Sequence, residues 1–152
     1  MKERRSTLFV CSGNICRSPT AEGVLKTLAK KESIGLRIES AGLGDWHVGD
    51  PPDERTQQHA RQRGYDLSAQ RARQVKPRDF DDFDLILAMD RGHLRALERM
   101  APPGSRARIR LFAAEAEVPD PYHGGPGGFE QVLDLVEEHC RVLLEELKKP
   151  TS

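Results

Sequence analysis

The chain has 152 residues, with 24 Lys and Arg against 24 Asp and Glu, a length that suits one domain. Leu, Ile, Val and Phe supply 34 of them, and with no net charge this excludes the disordered class. The longest apolar run, Leu85 to Met89, is five residues, far short of the ~20 that cross a bilayer, so no membrane partner is expected.

In chain order, Thr7 to Val10 reads as a buried strand. Ser18 as N-cap and Pro19 at the first helical position open a helix over 20–31, whose apolar face is Ala21, Val24, Leu25 and Leu28. Leu36 to Ser40 alternates like a second strand, and Asp53 to Arg63 reads as a helix stopped by Gly64. Leu85 to Met89 is a third strand, Gly92 to Met100 a helix ended by Pro102, and Ile109 to Phe112 a fourth strand. The Gly- and Pro-rich stretch from Pro119 to Gly128 is long for a connection. After it, Phe129 to Leu147 is a helix with Val132, Leu135, Val136, Cys140, Leu143, Leu144 and Leu147 as its stripe. Strands alternating with helices predict a single α/β domain over 1–152 with a central, mostly parallel, four-stranded sheet flanked by helices. Ligands then gather at the C-terminal ends of the strands, where both Cys11–Arg17 and the 119–128 loop lie.

The start of the chain, Met1 to Thr7, leads into no secretory apolar region, so a cytoplasmic location is expected. Three cysteines, Cys11, Cys16 and Cys140, are an odd count that argues against a disulfide framework. Residues 1–76 carry 14 basic and 9 acidic groups and residues 77–152 carry 10 and 15. Non-specific nucleic-acid binding loses its main support, and no nucleic-acid partner is expected.

The strongest local signal is Cys11-Ser-Gly-Asn-Ile-Cys-Arg-Ser18, between the first strand and the first helix. A loop there aims successive backbone N–H groups at one spot and adds the positive end of a helix dipole. Ser12, Gly13, Asn14, Ile15, Cys16 and Ser18 thus form a candidate phosphate-binding loop after the first strand, and Arg17 adds a planar fork matched to two phosphoryl oxygens. In that field Cys11 is expected to be a thiolate at neutral pH, with Ser18 donating its hydroxyl to the sulfur. Gly13 and Asn14 tolerate the positive φ that a tight loop requires. One blander alternative is an inert core thiol beside a solvated arginine. Another is a zinc site, but zinc wants four ligands and Cys11 and Cys16 have no second pair nearby. No metal and no cofactor are expected.

Several motifs recur in one order: Val10 to Pro19, Ala21-Glu22, Glu39 to Gly42, Trp46 to Gly49, Pro52-Asp53, Arg71 to Gln74, Phe83 to Asp90, and Asp120-Pro-Tyr122. Through them the chain resembles the low-molecular-weight protein tyrosine phosphatases over nearly its whole length. The resemblance implies that Cys11 attacks phosphorus to give a phosphocysteine, Arg17 holds the phosphoryl oxygens, and Asp120 protonates the departing phenolate. Chemistry gives Asp120 a reason beside the resemblance: one carboxyl can hand a proton to an aryl oxide, then take one from the water that hydrolyses the thiophosphate. By itself, Asp120 before Pro121 is also an ordinary turn.

The resemblance also makes Trp46 and Tyr122 walls for a flat aryl group, where the alternative for Trp46 is packing on the sheet edge. His47 and His123 read as surface-loop neighbours of these walls. Asn14, Ser18 and Ser40 look like the family's network that keeps the loop in shape, with Gln70 where close relatives carry a His. Cys16 stands at the family position that can form a reversible disulfide with Cys11; as a residue it is equally a packed thiol. Cys140 reads as core. The stretch Arg55 to Arg78, with seven Lys and Arg and one acid, reads as a solvated face or a steering patch for acidic substrates.

The expected activity is hydrolysis of phosphotyrosine in proteins, or of a small aryl phosphate, by a monomer. A protein-arginine phosphatase is one rival; that branch tends to carry a polar residue where Ile15 stands. An arsenate reductase of the same fold would need further cysteines in a mobile segment, and residues 75–100 contain none. A phosphate-binding module without turnover would have no use for Cys11 and Asp120 together.

Overall fold

Strand β1 (Arg5–Cys11) alternates its side chains between two cores, Phe9 and Cys11 on one face, Leu8 and Val10 on the other. The structure is a computed structural model describing residues 5–114, 116–122 and 124–149, with Pro126 as backbone only. His123 lies outside the described residues. Helix α1 (Arg17–Lys31) leads to β2 (Leu36–Gly42), then α2 (Glu54–Gln62), the one-turn α3 (Asp79–Asp82), β3 (Leu85–Ala88), α4 (Arg91–Met100), β4 (Arg108–Leu111) and α5 (Pro126–Lys148). The four strands are parallel, in the order β2-β1-β3-β4. Because β2 lies on one side of β1 and β3 on the other, the connections diverge there, and a crevice opens above the C-terminal ends of β1 and β3.

Both faces of the sheet are covered. On one, Val24, Leu25 and Ala29 of α1 and Val132, Leu133, Val136, Leu143 and Leu144 of α5 meet Phe9, Leu85 and Leu87. Phe9 and Phe112 pack edge to face there with centroids 5.3 Å apart, a geometry worth about 0.5–1.5 kcal/mol beyond burial. On the other, Phe80, Phe83 and Leu97 close over Leu8, Val10, Ile86 and Ala88. Cys140 lies fully buried between α5 and α1, and burial pushes its thiol up, so it stays neutral. Among the described residues no helix is long and apolar enough to cross a membrane.

The strands and the four long helices fall where hydrophobic spacing places them, with differences at their ends. Ser18 is not the N-cap of α1: Cys16 is, without a side-chain cap, and Ser18 lies inside the first turn with its hydroxyl turned to other partners. Leu133, not Leu135, belongs to the buried stripe of α5, since 132, 133, 136, 140, 143, 144 and 147 track a 3.6-residue period more closely. That helix also starts earlier, at Pro126, whose ring suits a first-turn position. The short α3 has no periodic signal; buried Asp79 holds it by bonding Arg73 and the N–H of Lys76.

Candidate active site

The loop from Cys11 to Ser18 leaves β1 and enters α1 at the crevice. The start of α1 takes no side-chain cap, Pro19 has no N–H, and Thr20 N already bonds Cys16 O, so the Arg17 and Ser18 amides remain to meet an anion. The end of β2 backs the loop: Leu43 N donates to Cys11 O at 2.9 Å and Gly44 N to Ser12 O at 3.1 Å. A Cβ on Gly42 would stand 3.0 Å from Gly13 C and Ser12 O, backbone contacts so tight that the loop would have to shift, and glycine spares it that.

Asn14 alone in the loop has a left-handed backbone, φ 60°, and its side chain holds it there. Its Oδ1 accepts from Arg73 N at 3.0 Å, which turns Nδ2 to donate to Ser18 Oγ at 2.8 Å and Ser40 Oγ at 3.0 Å. Ser40 donates onward to Glu22 Oε1 at 2.5 Å. Ser18, already an acceptor, has its proton left for Cys11 Sγ, 3.0 Å away. One backbone amide thus orients the network so that a hydroxyl points at sulfur.

Gly13 does not take positive φ, and a Cβ there would meet the His47 ring, with Cδ2 3.0 Å away. Gln70 does not enter the Asn14–Ser18–Ser40 set. Its Nε2 donates to Pro19 O at 3.0 Å, so it steadies the first turn of α1 from outside the network.

Arg17 is 5 % exposed, with Nη1 donating to Asp90 Oδ2 at 3.0 Å and to Val118 O at 3.1 Å. Asp120 Oδ2 stands 3.7 Å from Nη2. Asp90 also caps α4 by accepting from His93 N at 2.8 Å. Burial would raise its carboxyl, but the His93 amide, His93 and Arg17 outweigh this and hold it below the usual carboxylate range. His93 Nε2 sits 2.8 Å from Ser12 Oγ, and burial, aided by the Arg17 charge, pushes its imidazole down to about 4. Burial pushes the Cys16 thiol up to about 12, with the nearby Thr56 hydroxyl opposing and the Asp53 charge adding, so Cys16 is a neutral thiol at neutral pH. Cys11, Cys16 and Cys140 are all free.

Over the loop opens a cleft of about 200 Å³ that brings together Cys11, Ser12, Gly13, Ile15, Cys16, Arg17, Trp46, His47, Asp120 and Tyr122. Trp46 is 69 % exposed, so it is no core residue of the sheet edge, and Tyr122 is 40 % exposed across from it. A groove of about 670 Å³ at the opposite end of the sheet contains none of these residues. Its Arg106 is engaged by Asp84 and the carbonyls of Asp81 and Asp82. Among the described residues no group of three or more His, Cys, Asp or Glu gathers to hold a metal ion.

A family described as low molecular weight phosphotyrosine protein phosphatase matches residues 6–152. The chain belongs to that family. Its relatives include the low molecular weight protein-tyrosine-phosphatase YfkJ of Bacillus subtilis, 41 % identical over 152 residues, covering 95 % of this chain and 96 % of that one. The crystal structure of YfkJ superposes with a TM-score of 0.90 at 39 % identity, covering 99 % of both chains. The crystal structure of DARP, drosophila arginine phosphatase, superposes with a TM-score of 0.89 at 36 % identity, covering 95 % of this chain and 99 % of that one. Members named in this way are hydrolases, and the four-stranded parallel sheet with the Cys11 loop at its switch point is the architecture that they share with this chain.

Within this phosphatase fold, sequence reading left out Glu22, Asp90, His93 and the Arg73 amide. Asp90 and Glu22 lie in motifs quoted above, and Asp90 carries a helix-cap signal, but nothing local marks either as a partner of Arg17 or Ser40. Of the basic stretch from Arg55, Arg55, Arg61, Arg71, Lys76 and Arg78 are exposed, as a solvated face would be, while Arg63 pairs with Glu130, Asp134 and Glu137 of α5, and Arg73 with Asp79 and Glu39.

Proposed function

We propose that this enzyme hydrolyses phosphotyrosine in proteins, and small aryl phosphates, through a phosphocysteine formed on Cys11. The observation that carries this reading is the convergence of Cys11, Arg17 and Asp120 on one cleft walled by Trp46 and Tyr122. The dianion enters with its oxygens on the loop amides at the head of α1. Arg17, tied through Nη1 to Asp90 and Val118, presents its other edge to two phosphoryl oxygens and meets the charge that grows in the transition state. Cys11 Sγ attacks phosphorus as the P–O bond to the aryl group breaks. Asp120, in its protonated form, delivers its proton to the departing oxygen. The resulting carboxylate takes a proton from water, which attacks the phosphocysteine; phosphate leaves and sulfur departs as the thiolate, eased by the Ser18 hydroxyl at 3.0 Å. These residues supply nucleophile, charge stabiliser and acid, so no step is assigned to a metal or cofactor.

Peptides carrying phosphotyrosine, phosphoserine or phosphoarginine, offered with a chelator present, test the reading. Turnover of the phosphotyrosine peptide alone, with loss of about a thousandfold or more in Cys11→Ser, is expected. Preferred turnover of phosphoarginine would move the enzyme to the other branch, and equal activity of wild type and Cys11→Ser would end the nucleophile assignment.

A further inference from the structure

Arg55, on the first turn of α2, lies outside the group that faces the cleft, yet it touches both sides of it. Its Nε and Nη2 grip Asp53 Oδ1 and Oδ2 at 3.2 and 3.1 Å, and Nη2 also donates to Tyr122 O at 3.1 Å. The guanidinium lies over two rings, Tyr122 with its centroid 5.3 Å away and Phe129 at 5.0 Å. Asp53 is no loose surface acid: it caps α2 through the amides of Arg55 and Thr56, and its own N–H donates to Ile15 O at 2.8 Å. At the other end, Tyr122 N donates to Asp120 Oδ1 at 3.0 Å.

A continuous path therefore runs from the Ile15 carbonyl through Asp53 and Arg55 to Tyr122 and the Asp120 carboxyl. We propose that Arg55 is a positioning residue, a latch that fixes the Asp120–Tyr122 segment at a set distance from the Cys11 loop by holding Asp53, the Tyr122 carbonyl and two aromatic faces at once. The inference rests on Asp120 serving as the proton donor. An isolated exposed ion pair does little, being screened and entropically costly. This one differs in chemistry, since the planar fork satisfies a carboxylate along one edge and a carbonyl from the same nitrogen while its flat face stacks. A lysine ammonium can take one of these partners at a time, and a methionine can only lie against the rings. The latch acts on proton delivery because a proton donor displaced by about 1 Å from its acceptor can lose on the order of a hundredfold in rate. Sulfur attack, governed by the buried loop, is left largely as it was.

The test uses Arg55→Met and Arg55→Lys, each also combined with Asp120→Ala, against phosphotyrosine peptide and against 2,4-dinitrophenyl phosphate, whose leaving group needs no proton. Arg55→Met is expected to lower kcat on phosphotyrosine by about 10- to 100-fold and on the dinitrophenyl ester by less than about 3-fold. Arg55→Lys falls between it and wild type. In the Asp120→Ala background, neither change lowers phosphotyrosine turnover further, because the proton that the latch aims is gone. Equal losses on the two esters, or a full further loss in the Asp120→Ala background, would overturn the latch. Should Asp120→Ala itself reduce both esters equally, the acid assignment fails first, and the separate reading is visible in that single variant. A Tm within a few degrees of wild type for Arg55→Lys keeps the comparison free of unfolding.

Discussion

Residues 11–18 and residues 118–122 face the same cleft and are built by different means. In the first segment Asn14, Arg17 and Ser18 are 5 % exposed or less, and their partners lie on β2, in the α2–α3 connection at Arg73, at the α4 cap Asp90 and at the buried root of the second segment, Val118 O. In the second, half of the Asp120 side chain is open to solvent, and its neighbour Tyr122 is held by contacts at the surface. Buried hydrogen bonds in a poorly polarisable interior are strong and leave unsatisfied groups when broken; surface ones exchange with water at small cost. The half of the site that makes the covalent bond is fixed, and the half that moves a proton stays accessible to a leaving group and a water.

The largest effects come from removing one member of each half. Cys11→Ser abolishes turnover of every ester, measured as loss of initial rate of about a thousandfold or more. Asp120→Ala lowers kcat on phosphotyrosine by about 10²–10⁴-fold while costing a dinitrophenyl ester less than about tenfold. Comparable losses on both esters would erase the distinction between the halves. Asn14→Ala strips a buried network and puts an alanine at φ 60°, so a drop of about 2–4 kcal/mol in unfolding free energy is expected by denaturant titration, together with slower Cys11 alkylation. The same measurement on Tyr122→Ala should move stability by under about 1 kcal/mol, since that side chain is 40 % exposed.

A pH effect sharpens the comparison from the buried side of the cleft. The His93 imidazole, near 6.5 when unfolded, is pushed down to about 4 in the folded protein, so between those values the unfolded chain binds the extra proton. Stability is then fully present above about pH 6.5 and falls as pH drops toward 4, by on the order of 3 kcal/mol at the bottom of the window. His93→Gln, which can still bond Ser12, should flatten that part of a Tm-against-pH curve; an unchanged slope would show that His93 is not its source.

Much of this is legible in the amino-acid sequence. A buried strand, a short polar loop and a helix with apolar spacing are local patterns, so β1, the loop and α1 follow from neighbours in sequence, and with them the proximity of Cys11 and Arg17. Ser18 was misread for the same reason: Ser-Pro before a helix is a local cap signature, but its hydroxyl is taken by Cys11 and Asn14. Arg73 lies 59 residues from Asn14 and Asp90 lies 73 from Arg17, and no periodicity carries such pairings. Gln70 shows the limit of position by analogy: it stands where the resemblance puts a network-joining His, yet its amide reaches Pro19 O and not the serines.

Gly42 has a consequence for how the enzyme wears out. Because Gly42 lets β2 pack closely on the Cys11 loop and the pairing of β1 with β2 runs up to Cys11, the two are expected to part only as the sheet opens. The Leu43 and Gly44 amides, bonded to Cys11 and Ser12 carbonyls, should exchange deuterium only at the rate of whole-molecule opening, while the Tyr122 amide exchanges through local fraying. On warming, proton delivery would fade first, and the phosphate cradle would last as long as the fold.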